Sequence, residues 1–369
     1  MTRTITNKKE YTYTSENGHT ATVIEYQYEG AETESLIEKY PTVNYIGNKE
    51  KIADWIGSLL PADANSLLDV FAGGASISYI AKLKGLQVYT NDILAINYHI
   101  GKALIENNQT TLSQEDLDII FSGKPFEGFM TQNFSEVYYF KEECMELDLY
   151  RQNIEKLDSD YKKSLALILM RRAMVRKMPY SRFTIKWDKV KQLRDEDFSY
   201  EKYGRRRAYH NQSFRFHFED NLKEYNAAIF NNGKANTALN MDVFDALQSV
   251  KADVIYMDPP YAGTMNDYYG FYSLLDDYIT GEKSAPFENN FIDKKSIMSL
   301  FDKLFSNLQN FKYWMLSYNS RSNPNKEQLI SIISQYANIV EIHEMPYAYK
   351  VTGKEKKKRD IEYLFIAHN

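Results

Sequence analysis

A chain of 369 residues, 43% hydrophobic and 26% charged, is globular and long enough for a sizeable core plus one large insertion. No apolar run is long enough to span a bilayer, Met1–Lys9 lacks the apolar core of a signal peptide, and a single cysteine excludes an intramolecular disulfide framework, so a cytoplasmic protein is expected. The net charge of −5 speaks against nucleic acid only if it is spread evenly, and residues 171–215 carry 14 Lys and Arg against five Asp and Glu.

Residues 1–40 are polar and rich in Thr, Glu and Tyr; alternation over Thr20–Tyr26 predicts a strand or hairpin with no assigned function. Asn44-Tyr45-Ile46-Gly47-Asn48-Lys49 then precedes Ile52, Trp55, Ile56 and Leu59 at helical spacing. A Gly loop opening a helix presents backbone N–H groups and a positive dipole end, although an ordinary helix entry explains this stretch alone.

Ser66–Gly74 reads as a strand entering a Gly turn, Ala75–Lys84 as a helix, and Gln87–Asp92 as a second strand with an acid at its tip. This is a βαβ unit whose acid stands where nucleotide folds bind ribose hydroxyls. The glycines do not spell G-x-G-x-x-G, so the expected ligand is adenosine-like and lacks a pyrophosphate. S-adenosylmethionine fits better than NAD.

Ile93–Asn107, Glu142–Lys156 and Tyr161–Lys177 read as helices; the last carries Arg171, Arg172, Arg176 and Lys177 at its end. Pro179-Tyr180-Ser181-Arg182 and Tyr203–Ser213 follow, with Arg205, Arg206, Arg207, Asn211 and Gln212 among the aromatics. A charge run is usually a solvated face. Amides and aromatic rings inside this one favour nucleic acid, since they add base-edge contacts and stacking to phosphate pairing. Asn221–Phe230 reads as a helix and Ala238–Phe244 as a short strand ending near Asp242.

The buried strand Val254–Met257 runs into Asp258-Pro259-Pro260-Tyr261. Two prolines stop the strand and stiffen the turn, and strand ends of this kind line the ligand crevice of an open α/β sheet. Such a turn suits attack by an exocyclic purine amine, whose lone pair is delocalised into the ring. A carboxylate and a carbonyl accepting from the NH2 draw that lone pair out, and an aromatic ring holds the base. Ser296–Leu308 and Asn325–Ala337 then read as helices, with strands at Tyr313–Asn319, Ile339–Met345 and Ile361–Ile366, the last two forming an antiparallel pair. The sum is an α/β fold, a doubly wound, mostly parallel sheet interrupted by an inserted, mainly helical and basic domain.

Together these residues resemble the D12 class, or Dam-like, N6-adenine DNA methyltransferases, with the order of the family's alpha class. Residues 44–49 resemble its N-terminal cofactor motif, Phe71–Gly74 its Gly loop with Ala75 in place of the last glycine, Asp258–Tyr261 its catalytic D-P-P-Y, and Leu316–Asn319 the strand lining its target pocket. The resemblance implies a Rossmann-like catalytic domain over 41–120 and 233–369, a target-recognition domain over 121–232 and an N-terminal extension over 1–40. It implies S-adenosylmethionine as cofactor, held by Tyr45, Asn48, Lys49, Asp69, Phe71, Gly73, Asp92, Asp242 and Asp258. Catalysis falls to Asp258, Pro259, Pro260 and Tyr261 on an adenine flipped out of double-stranded DNA. Arg171, Arg172, Arg176, Lys177, Tyr180, Ser181, Arg182, Arg205, Arg206, Arg207, Asn211 and Gln212 would bind that DNA. A cognate restriction endonuclease is the partner such an enzyme would have, and a monomer is slightly favoured. No metal is expected, because no His/Cys cluster has ligand spacing. Cytosine C5 methylation would need a cysteine nucleophile, and Cys144 lies among acids on a helix. Cytosine N4 methylation, RNA adenine methylation and an inactive DNA-binding homologue are the remaining rivals.

Overall fold

The computed structural model describes residues 4–29, 37–43, 47–181, 183–204, 206, 208–261, 268–284, 291, 293, 295–347 and 360–369. Among them the strands are β1 (Thr4–Thr14), β2 (Thr20–Glu29), β3 (Ser66–Asp69), β4 (Gln87–Asn91), β5 (Thr237–Leu239), β6 (Val254–Met257), β7 (Tyr313–Asn319), β8 (Ile339–Tyr347) and β9 (Asp360–His368). They form one sheet in the order β1-β2-β8-β9-β7-β6-β3-β4-β5. The run β7-β6-β3-β4-β5 is parallel, and β9 enters antiparallel between β7 and β8. This is the expected doubly wound α/β sheet.

All four residues of β6 are buried, as a strand covered on both faces requires. Val254 and Tyr256 face one apolar cluster, Ile255 and Met257 the other. The first cluster takes in Leu165, Ile168, Phe214 and Phe218 from the long helical segment that follows β4. The second is closed by the helices Val243–Ser249, Ile297–Ser306 and Lys326–Ile333.

The N-terminal strands do more than form the expected hairpin. β2 pairs parallel with β8 and extends the sheet, and the Tyr28 hydroxyl meets His343 Nδ1 at 2.7 Å. Nothing in residues 1–40 alone shows which distant edge the hairpin covers.

Two helices depart from the sequence reading. Asp160–Lys177 is buried around its whole last turns, not along one side, so it threads the interior. The helix expected over Asn221–Phe230 begins earlier, at Phe214, because the Ser213 hydroxyl caps it by accepting from Phe216 N at 3.0 Å.

Candidate active site

The carboxyl ends of β6, β3 and β4 and the turn after β5 carry the acids. Asp258 follows β6, Asp69 ends β3, Asp92 follows β4, and Asp242 stands three residues beyond β5. Parallel pairing in register puts these ends side by side.

At β6, the proline turn presents Asp258 with a side chain only 18% exposed. The Lys49 ammonium, 3% exposed, donates to both carboxylate oxygens at 2.8 Å and to the Tyr261 hydroxyl at 2.8 Å. Tyr261 donates to Asp258 Oδ1 at 2.9 Å, and its ring packs edge-on to Tyr318 of β7. Beneath the turn the Tyr256 hydroxyl meets Ser317 Oγ at 2.7 Å, so the strand expected to line the target pocket does adjoin the turn. A residue the sequence reading passed over joins the cluster. Glu362 of β9 is fully buried, 3.5 Å from Lys49 Nζ and 3.1 Å from the Tyr261 hydroxyl.

The Gly loop is built by backbone donors. Asp92 accepts from Gly73 N and from Leu94 N, both at 2.9 Å, and so ties the loop to the next helix start. Burial pushes the Asp92 carboxyl above its ordinary value despite these donors. Ala75, where the family pattern has glycine, is buried in the left-handed region at φ 60°, the conformation glycine would supply. Phe71 packs edge-on against Phe291. Asn48 Oδ1 accepts from Glu50 N at 3.2 Å, and Asp242 caps the helix after β5 by accepting from Phe244 N at 2.9 Å. Tyr45 lies outside the described residues.

Asp69 tests whether these residues fit a cationic amino-acid-bearing cofactor. Its Oδ2 accepts from the Ser78 hydroxyl at 2.7 Å, while its buried Oδ1 has no partner among the described residues. Burial, against the Ser78 hydrogen bonds and with the Asp258 charge adding, pushes Asp69 up to about 7. A buried carboxylate with a spare acceptor is what an ammonium donor satisfies, so the donor set fits.

The basic run is not one continuous nucleic-acid face, and three of its members are corrected. Arg171 is 2% exposed and donates to the Val43 carbonyl. Arg172 is 7% exposed and donates to Asn221 Oδ1. Lys177, 2% exposed, donates to the Gln212 carbonyl at 2.6 Å and pairs with Glu143 at 2.9 Å. They are buried because the last turns of their helix run through the core. Asn211 spends its amide on Arg194, accepting from Nε and donating to the carbonyl. The solvent side keeps Tyr180, Ser181, Arg206 and Gln212 exposed, with Arg176 half-buried against Asp220. Tyr180 and Ser181 are consecutive residues at positive φ, 58° and 56°, and the Tyr180 ring is exposed. Arg182, Arg205 and Arg207 lie outside the described residues.

Cys144 is fully buried, and burial pushes its thiol up to about 12, so it supplies no thiolate nucleophile. No group of His, Cys, Asp and Glu able to hold a metal occurs among the described residues, and no described helix is long and apolar enough to cross a membrane.

Comparison with known proteins adds the family. The family model for D12 class N6 adenine-specific DNA methyltransferases matches residues 45–362. The chain is 59% identical over 331 residues to the type II methyltransferase M2.HphI of Haemophilus parahaemolyticus, covering 90% of this chain and 98% of that one. It is 25% identical to the type II methyltransferase M.FokI of Planomicrobium okeanokoites, over 88% of this chain and 52% of that one. With the type II methyltransferase M.CviAII of Paramecium bursaria Chlorella virus 1 the identity is 23%, over 88% and 98%.

Proposed function

This chain belongs to the D12 class of N6 adenine-specific DNA methyltransferases, and we propose that Asp258, in its proline turn, is the group on which the target amine docks. The enzyme is a site-specific DNA adenine methyltransferase of the type II restriction–modification kind. Its methyl donor in this proposal is S-adenosylmethionine, which when bound supplies a methyl group on a sulfonium leaving group. Asp69, Asp92, Gly73, Asn48, Lys49 and Phe71 surround that cofactor, with Asp242 toward its base and Tyr45 as a further contact.

The chain's own residues do the rest. Asp258 and the Pro259 carbonyl accept from the two N6 hydrogens of an adenine turned out of the duplex, which localises the nitrogen lone pair. Tyr261 packs against the base. The helical segment 121–232 meets the duplex, with Tyr180, Ser181, Arg176, Arg206 and Gln212 on its solvent side. The protein works in the cytoplasm, where its methylation guards host DNA against a cognate endonuclease.

The observation that carries this reading is the Asp258 turn at the end of a buried parallel strand, next to the Gly loop. Its test is Asp258→Ala, assayed by transfer of labelled methyl from S-adenosylmethionine to duplex DNA. Loss of transfer with DNA binding retained is expected. Transfer at the wild-type rate overturns the assignment. Sequencing of DNA from a methylation-free host expressing the wild-type chain gives the substrate: N6-methyladenine at one short motif is expected, and N4-methylcytosine overturns the base assignment.

A further inference from the structure

The Lys49 ammonium is bound to both oxygens of Asp258, the carboxylate that must accept from the target amine. An ammonium so placed draws electron density from the acceptor and takes one of the two lone-pair sites on each oxygen. Moving that charge aside would strengthen Asp258 as the acceptor for the amine. Glu362 stands 3.5 Å from the same Nζ, fully buried, on a strand whose neighbours at that level are Asn319 and Met345. A charge-assisted N–H···O⁻ bond is about 2.8 Å long. Moving Nζ by less than roughly 1 Å thus exchanges one carboxylate for the other, well within the reach of a lysine stem. Tyr261 lies on this path, its hydroxyl within hydrogen-bond distance of Lys49, Asp258 and Glu362 at once.

We propose that Glu362 is a positioning residue that takes the Lys49 ammonium as the target amine docks on Asp258, so that the catalytic carboxylate is shielded until substrate is present. Burying an acid is strongly unfavourable unless a cation accompanies it, and Lys49 stands within reach of both Asp258 and Glu362. Hydrophobic residues at 362 would cover the strand equally well. The exchange keeps the count of charges in the pocket constant while Asp258 changes partner.

The inference rests on the methyltransferase reading above. The test compares Glu362→Gln with wild type, so an inactive wild type fails that reading and an unaltered variant fails this one. In single-turnover methyl transfer with duplex DNA, Glu362→Gln is expected to slow the chemical step by about 100-fold, the scale of a misplaced reacting group. Binding of S-adenosylmethionine is expected to change less than about twofold. The variant's rate should climb with pH toward the lysine range, because a neutral Lys49 releases Asp258; Glu362→Asp should recover part of the rate. An unchanged rate overturns the proposal, and so does a loss with the wild-type pH profile. A wild-type complex with S-adenosylhomocysteine and duplex DNA decides the matter even if the variants misfold. Lys49 Nζ is expected within hydrogen-bond distance of Glu362 and off at least one Asp258 oxygen. Lys49 still on both Asp258 oxygens with the base docked overturns it.

Discussion

Replacing Glu143 by Gln should unfold the helical segment more readily than any single change at its surface. Glu143 accepts from Arg194 Nη1 and Nη2 at 2.8 and 2.6 Å and from Lys177 Nζ at 2.9 Å. Both cations are nearly buried, 5% and 2% exposed in their side chains, and share this one carboxylate. Burial raises the Glu143 carboxyl, but Arg194 and Lys177 outweigh it and hold the group below its ordinary range. Lys177 is shifted down by burial despite its partner, the mark of a cation with half a counter-ion. Removing one member of a buried pair costs about 3–5 kcal/mol. Lys177 limits that loss by giving up its proton, at about 1.4 kcal/mol per pH unit; Arg194 has no such escape. The carboxylate's contribution is present above its ordinary value of 4.5 and disappears as pH falls through the lower folded value. The gap between wild type and Glu143→Gln should therefore be full at pH 7 and shrink in acid. Urea unfolding read by Trp187, whose indole packs on Phe140 three residues before Glu143, reports on this segment. A difference under about 1 kcal/mol at pH 7, or one that does not change with pH, would refute the account.

Asp69→Asn should stabilise the ligand-free protein, and only at higher pH. A carboxyl raised to about 7 contributes stability below its unfolded value of 3.8 that is lost as pH rises through 7. At roughly 1.4 kcal/mol per pH unit the gain above pH 7 is at most on the order of 4 kcal/mol; thermal-stability curves of the two proteins running parallel from pH 4 to 8 would contradict it. Ala75→Gly should leave stability within about 1 kcal/mol by calorimetry, since relief of a left-handed φ of 60° is offset by glycine's backbone entropy and one lost buried methyl. Arg176→Gln with Arg206→Gln should reduce the slope of log affinity against log salt by about 1.8, at 0.9 per phosphate contact, in a fluorescence-anisotropy titration. An unchanged slope removes both from the DNA face.

The placement of the acids at the strand ends was legible because it is set locally. A buried four-residue strand and two prolines fix where Asp258 sits, and a Gly turn followed by an acid fixes Asp92. The basic segment was less legible because charge does not reveal which way it points. Arg171 and Arg172 look like phosphate contacts in sequence, yet their helix passes through the core and they serve the Val43 carbonyl and Asn221. The telltale signal was present: the six residues Leu165–Met170 just before them are all apolar and span more than a turn, which a helix lying on a surface would not show. Glu362 gave no such signal. An acid in Asp-Ile-Glu-Tyr-Leu reads as the polar side of an edge strand, and only the insertion of β9 between β7 and β8 turns it inward beside Lys49.

That topology also bears on the ligand class proposed above. The order β6-β3-β4-β5 brings the ends bearing Asp258, Asp69, Asp92 and the turn bearing Asp242 into one row along the sheet. Burial is the main reason that Asp69 and Asp92 are raised, and for Asp69 the neighbouring Asp258 and Asp92 charges push the same way. A nucleotide carrying phosphates would bring further negative charge to this row and meet no glycine series to cradle it. A ligand whose reactive end is cationic relieves the same repulsion and lowers the cost of keeping buried carboxylates ionised. Binding such a ligand should therefore release protons from these carboxylates more readily than binding a neutral one. In calorimetry at pH 6.5, S-adenosylmethionine should bind with net proton release, as Asp69 ionises against the incoming charge, and Asp69→Asn should abolish that release. Proton uptake on binding would mean that the row tolerates its own charge and selects its ligand by shape instead.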